Sequence, residues 1–570
     1  MKRLAIIFAL FLFAFNMSAQ ENFPQYRSPL DIPIYLSATF AELRTNSFHA
    51  GVDIKTQGVE GKKVYAVADG YISRIGVSPY GYGNVIYITH NDGYTSVYAH
   101  LQQFNKEITK YVRNYQYNHK IFASTTIYLT RETFPIKAGD YLGLSGNSGS
   151  SGGPHLHFEI RHTESEKPVN PLYFGLKVAD DVRPNIKGIA VYPVDEDATV
   201  EGKAEPMYFN VEGKKDNYKL KDKSCVKANG RIAFGINTDD QVGSSPNKNG
   251  PYIYELYLDD VLSFKLECDS FSYSEPRYIN SLIDYKRFME KGNRYVRTEV
   301  DPYNRLSMYV VKNGVAEVGE GDTVEVCFKI YDYSNNVSVA RFQLVGTEPV
   351  VIEKEPLMRS QYFVKADGTY NNRIEIENFQ VVLEKNTLFK DTWMNTGITD
   401  PKGCCSRCYR FGEYTQAVFK LFKVRIKPDE KWANNSKLYI AYFGGNGKVT
   451  SLGGKMAADG YVETNTRSLG QYALKIDSIS PVVKILNFKE NDTITSKNTL
   501  KVKITDDMTG IDSYNMYAND TWILGQYDAK NDLLYYEVDA YMKPGKNTVK
   551  VVVKDAVGNT TTKKVSVYRK

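Results

Sequence analysis

The chain has 570 residues, 42% hydrophobic and 24% charged, with a formal net charge of +6. That length exceeds what one hydrophobic core can serve, so three to five domains are expected, and the composition excludes a disordered chain. So small a net charge gives no support to nucleic-acid binding, and six cysteines are too few for a disulfide-built scaffold.

The first nineteen residues read as a secretory leader. Lys2 and Arg3 precede the apolar run Leu4 to Phe15, and Ser18 and Ala19 offer a small-residue cleavage site. The run is short for a membrane span, an uncleaved anchor being the other reading, and the mature chain is expected to have no span. Losing Lys2 and Arg3 with the leader lowers the net charge from +6 to +4. The expected location is the periplasm or cell envelope, or outside the cell.

Aromatic residues make up 13% of the chain, with 44 tyrosines, and short Val, Ile and Thr runs recur between glycine turns. Both features favour strands, and the fold class expected is all-β. Residues 20–180 are read as a first domain with short strands at Val64 to Val67, Asn84 to Thr89 and Thr95 to Tyr98. Asp69-Gly70, Gly81-Tyr82-Gly83 and Asp92-Gly93 separate them.

Four of the seven histidines in the chain lie in this domain's motifs: His49, His100, His155 and His157. His155 and His157 are two apart, so one extended strand projects both to the same face. Asp53 follows His49 by four residues, with Gly51 between them to permit a turn that folds the carboxylate back. Imidazole and carboxylate ligands suit zinc at a hydrolytic site, which needs three protein ligands and one open position. His90, His119 and His162 are read as single surface imidazoles.

Beyond residue 180 an internal repeat emerges. Arg183-Pro184-Asn185-Ile186-Lys187-Gly188-Ile189 resembles Ser480-Pro481-Val482-Val483-Lys484-Ile485-Leu486, and Ile236 to Asp240 resembles Ile504 to Asp507. Each copy closes on a strand and turn, Phe328 to Asp332 through Asn336 and Val552 to Asp555 through Asn559. Residues 181–350 and 477–570 are therefore read as immunoglobulin-like β-sandwiches, the first with insertions. Residues 351–476 form a further β-rich module, with a strand over Val418 to Val424 and a closing hairpin from Tyr461 to Leu474. The Asp-Asp pairs of the repeats are compatible with calcium, although loop carboxylates usually just face water. Cys404, Cys405 and Cys408 are expected as a local disulfide or free thiols, since no histidine follows His162 to complete a zinc site.

Taken together, His49-Ala50-Gly51-Val52-Asp53, Tyr98-Ala99-His100-Leu101 and Gly153-Pro154-His155-Leu156-His157 resemble the lysostaphin-type (LytM-like) M23 family of zinc metallopeptidases. Tyr65 to Gly70, Gly81 to Val85, Gly139 to Gly143 and Ser145 to Gly149 resemble its flanking segments, and the likeness covers about residues 40–175. The resemblance implies an M23-type antiparallel β peptidase domain followed by about three β-sandwich modules. It implies one Zn²⁺ per chain held by His49, Asp53 and His157, with His100 and His155 as the catalytic pair. It implies hydrolysis of peptidoglycan stem or cross-link peptides by metal-activated water.

The alternative is a non-catalytic M23-fold protein that binds cell wall or activates another hydrolase, and a third reading makes the modules an envelope adhesion or scaffold device. The modules could engage envelope protein partners or cover the groove. One departure from the family is an insertion at about 105–134, tyrosine-rich through Tyr111, Tyr115, Tyr117 and Tyr128. It is read either as a wall of the substrate groove or as packing against the next domain.

Overall fold

The computed structural model describes residues 23–123, 125–352, 360–445 and 447–570; the leader expected at 1–19 lies outside them. Strands dominate the described residues, as the β-branched and aromatic composition favours. Among the described residues no helix is long and apolar enough to cross a membrane.

The N-terminal domain is built on one sheet. Its strands run in the spatial order Leu36–Ala38, Val52–Lys55, His155–His162, Tyr94–Leu101, Asn84–His90, Gly70–Val77 and Thr125–Tyr128. Every pairing along this path is antiparallel. One face carries Val52, Ile54, Ile86, Ile88, Tyr98, Leu156, Phe158 and Ile160 into a single core. The alternation of side chains leaves the opposite face for polar groups.

The insertion forms an α-helix, Lys106–His119, which the strand-rich composition did not foretell. Asn105 caps it by accepting from the Ile108 amide at 2.9 Å, and Glu107 in the first turn complements the helix dipole. Ile108, Val112 and Gln116, four apart, form the buried stripe, and Lys120 ends the helix in a left-handed conformation. The helix carries Tyr117 onto the last module. There the ring stacks on Tyr541 with centroids 3.6 Å apart and meets the Trp522 edge at 5.6 Å. The inserted helix thus packs against the last module rather than the next one along the chain.

The segment around residues 185–346 centres on strands Asn185–Pro193, Cys225–Asp239, Val337–Gly346, Thr323–Tyr331 and Ile253–Leu258. Its core takes in Phe40, Ala41, Phe48 and Ala50 from the N-terminal domain. The Phe40 and Phe48 rings each lie 5.5 Å from Phe271. The two units are thus joined through apolar side chains on either side of His49.

Two sheets then face each other, one through Thr392–Thr399, Cys408–Phe411, Gly470–Ile476 and Leu438–Phe443, the other through Phe379–Val382, Phe422–Ile426 and Val462–Thr466. The expected hairpin from Tyr461 to Leu474 does not form. Val462–Thr466 and Gly470–Ile476 pair with different strands in opposite sheets, because buried Leu469 carries the connection across the sandwich. Nor is Val418 in a strand: the strand begins at Phe422, and Phe419 instead stacks on Tyr278 at 4.4 Å. All six cysteines are free thiols. The last module is a second sandwich, with Thr499–Thr505 and Leu533–Glu537 in one sheet and Ile511–Ala518, Gly545–Asp555 and Thr560–Arg569 in the other.

Candidate metal centre

Strand register brings the site together. His157 stands opposite Asp53 on one neighbouring strand and Ala99 on the other. Leu156, Phe158 and Ile160 enter the core, so His155, His157, Glu159 and Arg161 share the other face. Gly51 is needed here for a reason other than a turn. A Cβ at this position would lie 2.2 Å from the Phe158 carbonyl oxygen, so only glycine lets the His49–Asp53 segment run this close to the histidine strand.

His49, Asp53 and His157 form a buried candidate metal-binding group. Asp53 Oδ1 lies 3.0 Å from His49 Nε2 and 2.8 Å from His157 Nδ1, and those nitrogens are 3.0 Å apart. The far side of each ring is committed: His49 Nδ1 donates to the Thr39 carbonyl at 2.7 Å, and His157 Nε2 lies 2.7 Å from Glu159 Oε1. Those outward bonds leave two imidazole nitrogens and one carboxylate oxygen aimed at a common point. Such a donor set fits Zn²⁺. Arg44 takes Asp53 Oδ2 at 2.8 Å, which leaves Oδ1 for the centre.

The electrostatics agree with that fit. Burial works against a charged His157, but the Asp53 and Glu159 carboxylates outweigh it and raise its pKa to about 9. Burial lowers His49, with Asp53 opposing. Burial opposes ionisation of Asp53, yet the His49 imidazole and hydrogen bonds from His155, His157 and His49 hold its carboxyl well below the usual range.

His100 and His155 stand beside this group, their ring centroids 4.9 Å apart and His100 5.7 Å from His157. His100 lies within the strand Tyr94–Leu101 in a left-handed backbone conformation, φ 59°, which is uncommon outside glycine. Its Nδ1 donates to the Ser148 carbonyl at 2.9 Å. Burial and the neighbouring His157 and His155 hold its pKa down at about 3, so it is neutral at ordinary pH. His155 Nδ1 donates to the Gly153 carbonyl at 2.8 Å, and its Nε2 lies 3.4 Å from Asp53 Oδ1.

The remaining histidines divide. His119 is exposed and His162 half-buried, but His90 is not a surface imidazole. It is 4% exposed, with Nδ1 2.9 Å from the Asp69 carbonyl and Nε2 2.8 Å from Ser96 Oγ. It is a hydrogen-bonded core residue.

Sequence reasoning missed the groups behind the ligands. Glu159 is fully buried, and its oxygens engage His157, Arg161 Nε at 2.7 Å, Tyr82 Oη at 2.5 Å and Tyr273 Oη at 2.9 Å. Burial would raise the Glu159 pKa, but Arg161 and His157 hold it below the carboxylate range. Glu159 was within reach of sequence reasoning, since it continues the alternate spacing of His155 and His157. Arg44 and Tyr273 had no such signal; Tyr273 comes from the following module and reaches the site only through the fold. On the opposite rim, Lys530 of the last module donates to the Asn147 carbonyl and, at 3.1 Å, to that of Ser151, in the loop that supports His100 and His155.

Comparison with known proteins places this site in a family. The model of peptidase family M23 matches residues 47–117 and 116–171, and that of the Zu5-like domain matches 362–477. The murein hydrolase activator NlpD of Escherichia coli strain K12 is 36% identical over 124 residues, 22% of this chain and 25% of that protein. The DD-carboxypeptidase/endopeptidase Mpg of Neisseria meningitidis serogroup B, strain ATCC 13091, is 33% identical over 134 residues, 24% of each chain. The lipoprotein NlpD of Yersinia enterocolitica is 33% identical over 117 residues, 20% of this chain and 93% of that protein. The chain thus spans only about a quarter of the length of the first two relatives.

Proposed function

Because the chain belongs to peptidase family M23 through its N-terminal domain, we propose that it is an exported zinc-dependent endopeptidase acting on the stem or cross-link peptides of peptidoglycan. The observation that carries this reading is the convergence of His49, Asp53 and His157 on one point with His100 and His155 beside it. The relative Mpg, a DD-carboxypeptidase/endopeptidase, supports the reaction type. Zn²⁺ held by those three residues would supply Lewis acidity towards water and the scissile carbonyl.

The chain's own residues complete the chemistry. His100, oriented by the hydrogen bond its Nδ1 donates to the Ser148 carbonyl, keeps Nε2 free to take a proton from the attacking water. His155, oriented through Nδ1 by the Gly153 carbonyl, presents Nε2 from the other side. Between them they can hold the proton and return it to the leaving amine. Glu159 and the Thr39 carbonyl keep the ligand rings in the orientation the centre needs.

The activator relative from Escherichia coli favours a second reading, in which the chain stimulates a different hydrolase. The test is incubation of the full chain, with and without a chelator, on purified peptidoglycan containing no other hydrolase. Chelator-sensitive peptide release supports the peptidase. Release only after a second hydrolase is added would establish the activator instead.

A further inference from the structure

Away from the histidines, two groups of three aspartates occupy matching places in the two repeats. They are Asp180, Asp240 and Asp332, and Asp477, Asp506 and Asp555; within each group one carboxylate oxygen per residue lies within 4.8 Å of the others. The scaffolding around them is the same. Asp332 Oδ1 and Oδ2 accept from the Asn336 backbone and amide nitrogens at 2.9 and 2.7 Å, and that amide reaches the Asp180 carbonyl at 3.4 Å. Asp555 accepts from the Asn559 backbone and amide nitrogens, both at 2.7 Å, and that amide reaches the Asp477 carbonyl at 2.9 Å. Asp180 and Asp477 each accept, at 3.0 Å, from the amide two residues on.

The third member sets them apart. Asp506 Oδ2 receives three backbone N–H groups, from Met508, Thr509 and Gly510, at 3.3, 3.0 and 2.7 Å. Asp240, only 3% exposed, has its Oδ1 buried with no hydrogen-bond partner among the described residues. A buried carboxylate oxygen without a donor, next to two further carboxylates, is costly unless a positive charge joins it. Burial and the nearby Asp332 and Asp180 push the Asp240 pKa up to about 8.

We propose that Asp180, Asp240 and Asp332 bind a calcium ion. The donor set is all oxygen and carries up to three negative charges, which selects a hard divalent cation. Calcium accepts six to eight oxygens in loose geometry, with carbonyls and water completing the shell, whereas magnesium demands a near-ideal octahedron. Asp180 lies in the segment between the 3₁₀ turn Pro171–Phe174 and strand Asn185–Pro193, so the ion ties the N-terminal domain's exit to the module that shares its core. The Asp506 group, supplied with its own donors, serves as the internal control.

The experiment is calorimetric titration of the full chain with CaCl₂ after Zn²⁺ treatment, with thermal melts of wild type, Asp240→Asn and Asp506→Asn. The expected result is one strong Ca²⁺ site with Kd on the order of 10⁻⁴ M and a Tm rise of about 5 °C at a hundredfold excess over Kd. Asp240→Asn loses both and Asp506→Asn keeps both. Asp240→Asn removes charge and keeps shape, so its calcium-free melt should equal or exceed that of wild type; should it fail to fold, Asp332→Asn makes the same test. No binding at millimolar calcium, binding that survives loss of Asp240 or Asp332, or an equal response to MgCl₂ overturns the assignment.

Discussion

Glu159 shows how much of the site depends on a residue that need not touch substrate. Its carboxylate holds the His157 ring by Nε2 at 2.7 Å and is itself held by Arg161, Tyr82 and Tyr273. Glu159→Gln keeps the shape but removes the charge that orients and enriches the ligand, so zinc affinity should fall about 10–100-fold. Competition with a chromophoric chelator measures this, and an unchanged affinity would contradict the role. His100 should behave differently. It lies outside the group of three, so His100→Ala is expected to retain its zinc while kcat drops about 10²–10⁴-fold. Metal analysis alongside the rate checks both halves. At this scale motif spacing pointed to the His155–His157 pair and the family resemblance to His49, Asp53 and His100, but neither pointed to their partners. His90 was misread because spacing gives no measure of burial.

At the scale of elements, alternation made the strands readable and also explains the helix that went unread. The stripe Ile108, Val112 and Gln116 includes a glutamine, so the helical period is weak against a background of tyrosines. The closing hairpin failed for a related reason: two adjacent strands with a short link read alike whether they pair or cross a sandwich. Phe48 is the element-level hinge of the account, being 5% exposed and set in the second core beside Phe271. Phe48→Ala should cost about 3–5 kcal/mol, read in denaturant melts, and should weaken zinc binding because His49 follows directly. A loss of stability with intact zinc affinity would separate the two.

The aspartate cluster makes its own prediction about pH. Asp332, Asp180, Asp239 and Tyr254 face Asp240, and Lys187 and Lys248 are engaged by Asp239. Burial and the neighbouring carboxylates raise Asp240 from the ordinary aspartate range to about 8, and burial raises Asp332 to about 6. Between those limits the folded state binds more protons than the unfolded, so calcium-free stability should fall as pH rises from 4 to 8. Tm measured across that range with EGTA should show the decline, and saturating calcium should flatten it. A calcium-free Tm that does not fall over this interval would contradict the cluster's part in stability.

On the scale of the molecule, the chain closes on itself. The second core encloses Phe40 and Phe48, Tyr273 supports the metal ligands, and the last module grips the inserted helix through Tyr117 while Lys530 reaches the loop behind His100 and His155. The sequence suggested that the insertion could pack against a domain, but not which residues meet, because contacts between residues more than a hundred positions apart leave no local period. The modules therefore belong to the site's construction, and the intact chain is the form to assay. The most direct measurement is mass analysis of peptides released from purified peptidoglycan by the full chain, by the chelated chain with and without restored zinc, and by His157→Ala. Release is expected from the zinc-loaded and zinc-restored protein, with products cut within stem or cross-link peptides, and none from the chelated protein or the variant. Release that persists in His157→Ala, or none from zinc-loaded wild type, would contradict that expectation.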